Sequence, residues 1–346
     1  MSFFSFINHI LSNPMLIVAF VLIIIVMAIN GAMDAPNAIA TCVTTRTLYI
    51  DHALIMSTVF NFLGVLLIAV AVRSKVALTI YNLVDFSNAD FGKYALLAAL
   101  FSIIIWGIIT WTFNIPTSSS HALIASLIGS SIALNRGFSG INGSSFLKVI
   151  IGIVISVIVA FYMGKLIVTL IKLIFRNRDR RDSKRFFEVG NIASGALMSF
   201  AHGLQDGQKL IAILMLIVSF AGLSIEKSAS IPVWMSVVCA ISMGVGTFIG
   251  VKRVVKYIGM NVVNIETYEG FSADVASFIT VIVSTAFGVP LSTTQTSTTS
   301  IMGVGAAKRR SNVNWSYAKY LSLNWFATFP FCGVIAFVLT KIFMLF

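Results

Sequence analysis

Few ionisable side chains lie within the apolar stretches of this 346-residue chain, and the informative ones are Asp34, Asp206, Lys209 and Asp274. A charged group at the centre of a lipid bilayer costs about 2.5–3.5 kcal/mol on insertion scales, so by default it marks a site or a pathway. Asp34 and Asp206 have related surroundings. The runs Asn30-Gly31-Ala32-Met33-Asp34-Ala35-Pro36-Asn37 and His202-Gly203-Leu204-Gln205-Asp206-Gly207-Gln208-Lys209 each place Gly three residues ahead of Asp, between helix-forming flanks. Hydroxyls form the second group: Ser118, Ser119 and Ser120 follow Pro116, and Ser292, Thr293 and Thr294 follow Pro290. Proline just ahead of Ser/Thr is a helix-start signal. A helix start offers free N–H groups, a partial positive charge and here hydroxyl donors, which together hold an anion without a fixed formal charge.

Two such ends, one from each half, can converge on one anion. The carboxylates would repel it, unless Asp34, Asp206 and Asp274 hold coupling cations, with Asp34 and Asp206 as the metal ligands if the ion is sodium. A cation between carboxylate and anion makes each ligand favour the other, the linkage a coupled carrier requires. Asn37 and Gln208 can donate hydrogen bonds to the anion, and Lys209 can add charge. His121 and His202, beside helix starts, read as structural hydrogen-bonding residues rather than proton carriers.

The elements that must position these groups are membrane helices. Hydrophobic residues make up 58% of the chain and charged residues 10%, against about 25% charged in soluble domains. Apolar runs reach the roughly 20 residues that cross a hydrocarbon core as a helix, which also excludes a membrane β-barrel with its short alternating strands. The expected spans are roughly 15–45, 52–72, 94–113, 117–135 and 146–171, then 190–222, 231–250, 271–289, 291–307 and 319–346. The two motif pairs recur in the same order at nearly equal spacing, so the chain reads as a tandem duplication. Residues 1–171 and 189–346 form the two transmembrane repeats, joined by a basic cytoplasmic linker at 172–188.

Five crossings per half make the repeats antiparallel. The basic clusters Lys172–Arg185, Lys252/Arg253/Lys256 and Lys308–Arg310 then fall in the cytoplasm with Arg46, while Arg73, Lys75, Lys93 and Arg136 fall outside. The net charge of +12 is therefore an orientation signal, and no nucleic-acid partner is expected. The expected fold is an all-α polytopic membrane protein with two inverted-topology repeats. Broken or re-entrant helices lie at its midplane, at a break within 15–45 and at Pro116 and Pro290. Cys42, Cys239 and Cys332 stand apart and suggest neither disulfides nor zinc.

At the stretches NGAMDAPNAIATCVTTRTL, PTSSSHALIASLIGSSIA, HGLQDGQK and GFSADVASFITVIVSTAFGVPLSTTQ, the chain resembles the PiT family of inorganic phosphate transporters. That resemblance implies sodium- or proton-coupled uptake of phosphate across the cell membrane by alternating access, with no cofactor. The site it implies comprises Asp34, Asn37, Ser118, Ser119, Ser120, Asp206, Lys209, Ser292, Thr293 and Thr294. Sulfate is the alternative substrate, carried by some relatives. Met33 and Gln205 depart from the usual Asn or His before each Asp, Gln295 stands for the usual His, and Asp274 for the usual Glu. An anion channel and an intramembrane hydrolase are the remote alternatives. Adjacent residues such as Ser120 and His121 do not face one another on a helix, so they make a poor catalytic pair. Lipid is the expected surrounding, and a homo-oligomer is compatible with the reading.

Overall fold

Helix ends in this chain follow from local chemistry. The computed structural model describes residues 2–70, 74–86, 91–113, 115–223, 231–261, 263 and 265–345, except for the side chains of residues 180, 182 and 251–261. Arg73 and the side chains of Arg180, Lys252, Arg253 and Lys256, whose charges bear on orientation, lie outside the described residues. A short helix α1 (Phe3–Leu11) precedes α2 (Pro14–Asp34), which starts with proline in its first turn and with Asn13 capping the Met15 amide. Pro36 lacks an N–H and its ring crowds the carbonyl four residues back. The helix accordingly gives way to a 3-10 turn, Ala35–Ala38, and resumes as α3 (Ala40–Thr44).

Beyond it come α4 (Ile50–Val70), α5 (Lys75–Tyr81), α6 (Gly92–Phe113), α7 (Ser119–Asn135) and α8 (Gly143–Ile174). The second half holds α9 (Arg180–Phe220), α10 (Val233–Asn261), α11 (Thr267–Phe287), α12 (Thr293–Lys308) and α13 (Trp315–Phe343). Eight helices among the described residues are long and apolar enough to span a membrane. The protein is an all-α, multi-pass membrane protein. Of the spans, α9 is the most enclosed and α8 and α13 the least. The outer two present rows such as Leu147, Ile151 and Ile158 that suit contact with lipid.

Two elements fall short of a full crossing. With 17 and 16 residues, α7 and α12 are each about 25 Å long, against a core of about 30 Å. Both begin beyond an extended segment that includes the proline, at the N-caps Ser118 and Ser292.

The packing is reciprocal between halves. Helix α4 packs on α9 as α10 packs on α2, and α8 packs on α12 as α13 packs on α7. The contacts α6–α13 and α11–α8 repeat the exchange, and α2–α6 within the first half matches α9–α11 within the second. Even the isolated bridges match: Val84–Ile141 before α6 and α8, Val263–Val313 before α11 and α13.

The halves differ at the first motif of each copy. The first motif breaks its helix, whereas α9 runs unbroken for 41 residues through Gly203, Asp206 and Lys209. Gln208 occupies the place of Pro36 in the repeat, so the hydrogen-bond ladder continues. Gly203 serves close packing instead, since a Cβ there would overlap the Asn61 carbonyl oxygen on α4. Gly203→Ala is expected to cost about 1–3 kcal/mol, the usual penalty for overpacking, measured as a lowered midpoint of thermal unfolding in detergent.

Candidate functional site: a buried centre at two helix starts

Ser118 Oγ and Ser292 Oγ lie 2.8 Å apart, so the N-caps of α7 and α12 touch. Amides in a helix's first turn have no intrahelical acceptor, which leaves those of Ser119, Ser120, Thr293 and Thr294 around this contact. Two positive dipole ends therefore meet at one point.

The carboxylates reach the same point. Asp34, at the end of α2 before the break, is 2% exposed, and Asp206 on α9 is 1% exposed. Ser119 donates a short hydrogen bond to Asp34 Oδ2, and Thr294 Oγ1 donates to Asp34 Oδ1 at 2.9 Å. Thr293 Oγ1 reaches Asp206 Oδ2 at 3.4 Å. The exchange seen in the packing thus recurs in single hydrogen bonds: Ser119 stands to Asp34 as Thr293 stands to Asp206.

The residues three beyond each Asp behave alike. Asn37 Nδ2 donates to Thr294 Oγ1 at 2.9 Å, while Lys209 Nζ donates to Ser120 Oγ at 2.6 Å. Lys209 also forms an ion pair with Asp206 and donates to the Leu291 carbonyl at 2.9 Å. Its ammonium, like the carboxylates, is fully buried. A buried charge persists only when paired and hydrogen-bonded, and Lys209 satisfies both conditions.

Two side chains outside the predicted set complete the centre. Asn30 Nδ2 lies 2.7 Å from Ser119 Oγ, 3.3 Å from Asp34 Oδ2 and 3.2 Å from Asp206 Oδ2, bridging the two carboxylates. His202 Nε2 lies 3.4 Å from Asp206 Oδ2, and its Nδ1 lies 3.2 Å from Asn61 Oδ1. Ligand atoms of Asp34, His202 and Asp206 lie within 4.8 Å of one another. The repeat carried the missing signal, because Asn30 and His202 occupy equivalent places one helical turn before each Asp. His121 Nδ1 lies 3.1 Å from the Trp325 carbonyl.

Two residues of the predicted set lie elsewhere. Gln208 turns away from the centre, its Oε1 accepting from the Val76 amide of α5 at 3.1 Å. Successive residues on a helix point about 100° apart, so Gln208 and Lys209 cannot serve the same spot. Asp274 on α11 is buried with other partners. Its Oδ2 accepts from Thr41 Oγ1 at 2.6 Å and from Ser194 Oγ at 3.4 Å. Of the departures from the family pattern, Gln205 ties α9 to the α11 end, accepting from Thr285 and donating to the Val289 carbonyl at 3.2 Å.

Five carbonyl or carboxylate oxygens lack a hydrogen-bond donor among the described residues, namely Asn30 Oδ1, Asn37 Oδ1, Asp206 Oδ1, Asp274 Oδ1 and Gln295 Oε1, of which Asp206 Oδ1 has the Lys209 ion pair instead. Leaving such acceptors buried and unsatisfied costs about 1–3 kcal/mol each. Oxygen ligands of this kind suit a hard cation. Beside the centre, Asn30, Ser119, Ser120, Asp206 and Lys209 line a cavity of about 10 Å³, roughly one water in size.

The sequence model of the phosphate transporter family matches residues 30–336, which contain every residue of this centre. A probable low-affinity inorganic phosphate transporter of Bacillus subtilis is 36% identical over 337 residues, covering 95% of this chain and 99% of that protein. A counterpart in Rhizobium meliloti is 33% identical over 308 residues, 89% of this chain and 90% of that one. In fold, the chain is similar to a solved sodium-dependent phosphate transporter, with a TM-score of 0.85 at 21% identity over 96% of this chain and 99% of that one.

Proposed function

The chain belongs to the phosphate transporter family, and we propose that it is a sodium-coupled symporter of inorganic phosphate working by alternating access. The observation that carries this reading is the contact between Ser118 and Ser292. It brings two helix starts together beside two buried carboxylates. The relatives are transporters, not enzymes, which removes the hydrolase reading.

Coupling follows from the hydroxyl protons. A serine or threonine hydroxyl has one proton to donate. Ser119 and Thr294 donate theirs to Asp34, and Thr293 donates to Asp206. An oxyanion at the helix starts takes those protons as its own donors and strips the carboxylates of partners. Sodium then fills the vacated lone pairs, with the Asn30 and Asn37 carbonyl oxygens completing its oxygen shell. Each ligand raises the affinity for the other by the same factor. Asp274, with Thr41 and Ser194, provides a second cation position away from the anion.

Lys209 contributes charge to the anion through Ser120, which it already contacts. Hydrogen phosphate carries a proton that sulfate lacks at neutral pH, and Asp34 and Asp206 are acceptors for it. Phosphate is thus favoured over sulfate. The reciprocal packing of residues 1–171 and 189–346 supports two inverted repeats, with residues 172–188 joining them and one half rocking against the other.

Radiolabelled phosphate uptake into proteoliposomes tests the reading. An inward sodium gradient is expected to drive accumulation that excess sulfate leaves intact. Accumulation driven by a proton gradient alone would replace sodium with the proton, and suppression by sulfate would replace the anion.

A further inference from the structure

A second concentration of positive charge lies away from this centre, where the α3–α4 connection, the α8–α9 junction and the start of α11 meet. These segments enclose a cleft of about 700 Å³ lined by Arg46, Lys172, Arg176, Arg178 and Lys184, with the hydroxyl residues Thr44 and Thr45. The acid on its wall, Glu266, is held by Lys308 at 2.9 Å. Among the described residues, no carboxylate pairs with Arg46, Lys172, Arg176 or Arg178, and Lys184 reaches Glu188 only at 3.7 Å on the surface.

Positive residues near span ends are ordinary orientation signals. Such a signal needs neither a cavity nor cations gathered from separate parts of the chain. Here Arg46 comes from the loop after α3 and the other four from the α8–α9 junction. Like charges brought together repel unless a counter-charge joins them.

Arg46 adds an independent mark. Its φ of 58° lies in the left-handed region, which non-glycine residues occupy rarely and often at functional sites. The turn is fixed by Arg46 N–H donating to the Val43 carbonyl at 3.2 Å and Thr47 Oγ1 donating to the Cys42 carbonyl at 3.0 Å. The rings of Phe175, Phe187 and Tyr268 pack on one another along one wall, tilted and edge-to-face, with centroids 4.8 Å and 6.0 Å apart. Behind Thr45, a polar chain leads inward. Asn191 Nδ2 donates to Thr45 Oγ1 at 2.8 Å, Thr45 Oγ1 donates to the Thr41 carbonyl at 2.8 Å, and Thr41 donates to Asp274.

We propose that this cleft is a binding site for a phosphate-type anion, supplied either as free inorganic phosphate or as the headgroup of an anionic lipid. Planar guanidinium groups grip phosphate oxygens bidentately, and three arginines with two lysines around one cavity match such a group. The site is independent of which ion couples transport.

Two binding measurements on the purified full-length protein distinguish the sources. Native mass spectrometry after adding phosphatidylglycerol or phosphatidylcholine reads lipid retention, and equilibrium dialysis with radiolabelled inorganic phosphate in lipid-free detergent reads the free anion. The test variant is Arg46→Asn/Arg176→Gln/Arg178→Gln, asparagine being tolerant of the left-handed backbone. Arg176→Gln/Arg178→Gln alone, on exposed residues, covers the case in which the Arg46 turn fails to fold.

The charge-matched control is Arg309→Gln/Arg310→Gln/Lys319→Gln, all exposed and outside the cleft. Expected is a loss of tenfold or more in affinity for phosphatidylglycerol or for inorganic phosphate in the cleft variants, with the control unchanged. Loss for the lipid alone assigns a headgroup site, and loss for inorganic phosphate assigns a free-anion site. Unchanged binding of both ligands in the cleft variants, or an equal loss in the control, overturns the proposal.

Discussion

Asp34→Asn is expected to lower sodium-driven phosphate uptake about 10- to 100-fold and to flatten its dependence on sodium. The carboxylate accepts from Ser119, Thr294 and Asn30. Hydrogen bonds to a charged group contribute about 1.5–3 kcal/mol each, and every 1.4 kcal/mol is about tenfold. Asparagine fills the same volume and keeps one acceptor, so the fold survives while the cation loses its ligand charge. Initial uptake rates in proteoliposomes at graded sodium measure both effects. The same variant is expected to narrow the preference for phosphate over sulfate, because an amide oxygen is a weaker acceptor for the phosphate proton. A variant with unaltered sodium dependence and unaltered preference would remove Asp34 from the coupling centre.

The second large effect is on stability. Lys209→Met strips a buried carboxylate of its ion pair. Breaking such a pair from one side costs about 3–5 kcal/mol, since an uncompensated charge stays behind. Removing both charges is far milder. Asp206→Asn/Lys209→Met is therefore expected to regain most of the lost thermal stability in detergent while remaining inactive in uptake. That divergence between stability and transport separates a functional ion pair from a merely structural one. Equal stability of the single and double variants would show that the Asp206 charge is already balanced by His202 or by another neighbour.

Much of this centre was legible in residue types and spacing. The prolines before Ser118 and Ser292 mark helix starts because proline suits a position where no N–H is needed. The starts lie two to three residues beyond them. Asp34 and Asp206 stand out because apolar flanks make charge costly. What spacing could not supply is direction. Neighbours such as Gln208 and Lys209 look equally eligible until the helix sends one towards α5 and the other towards Ser120.

Asn30 gives little signal in the sequence for a related reason. An uncharged amide carries no insertion penalty large enough to attract notice, although it links three site residues. One substitution, glutamine in place of proline, decides that the second copy stays helical. The short helices α1 and α5 carry too few residues for periodicity to register.

The continuity of α9 has a mechanical consequence. From Asp206 back to Arg180, the helix extends about 40 Å at 1.5 Å per residue. In the proposed rocking of the halves it is a lever whose fulcrum is the buried centre and whose far tip lies at the α8–α9 junction. A tilt of about 5° at the centre moves that tip by roughly 3 Å over that length. Its counterpart in the first half is interrupted at Pro36 and absorbs a similar rotation within one turn. On that proposal the two halves are unequal: the interrupted α2–α3 segment yields locally, and the continuous α9 carries displacement to the α8–α9 junction.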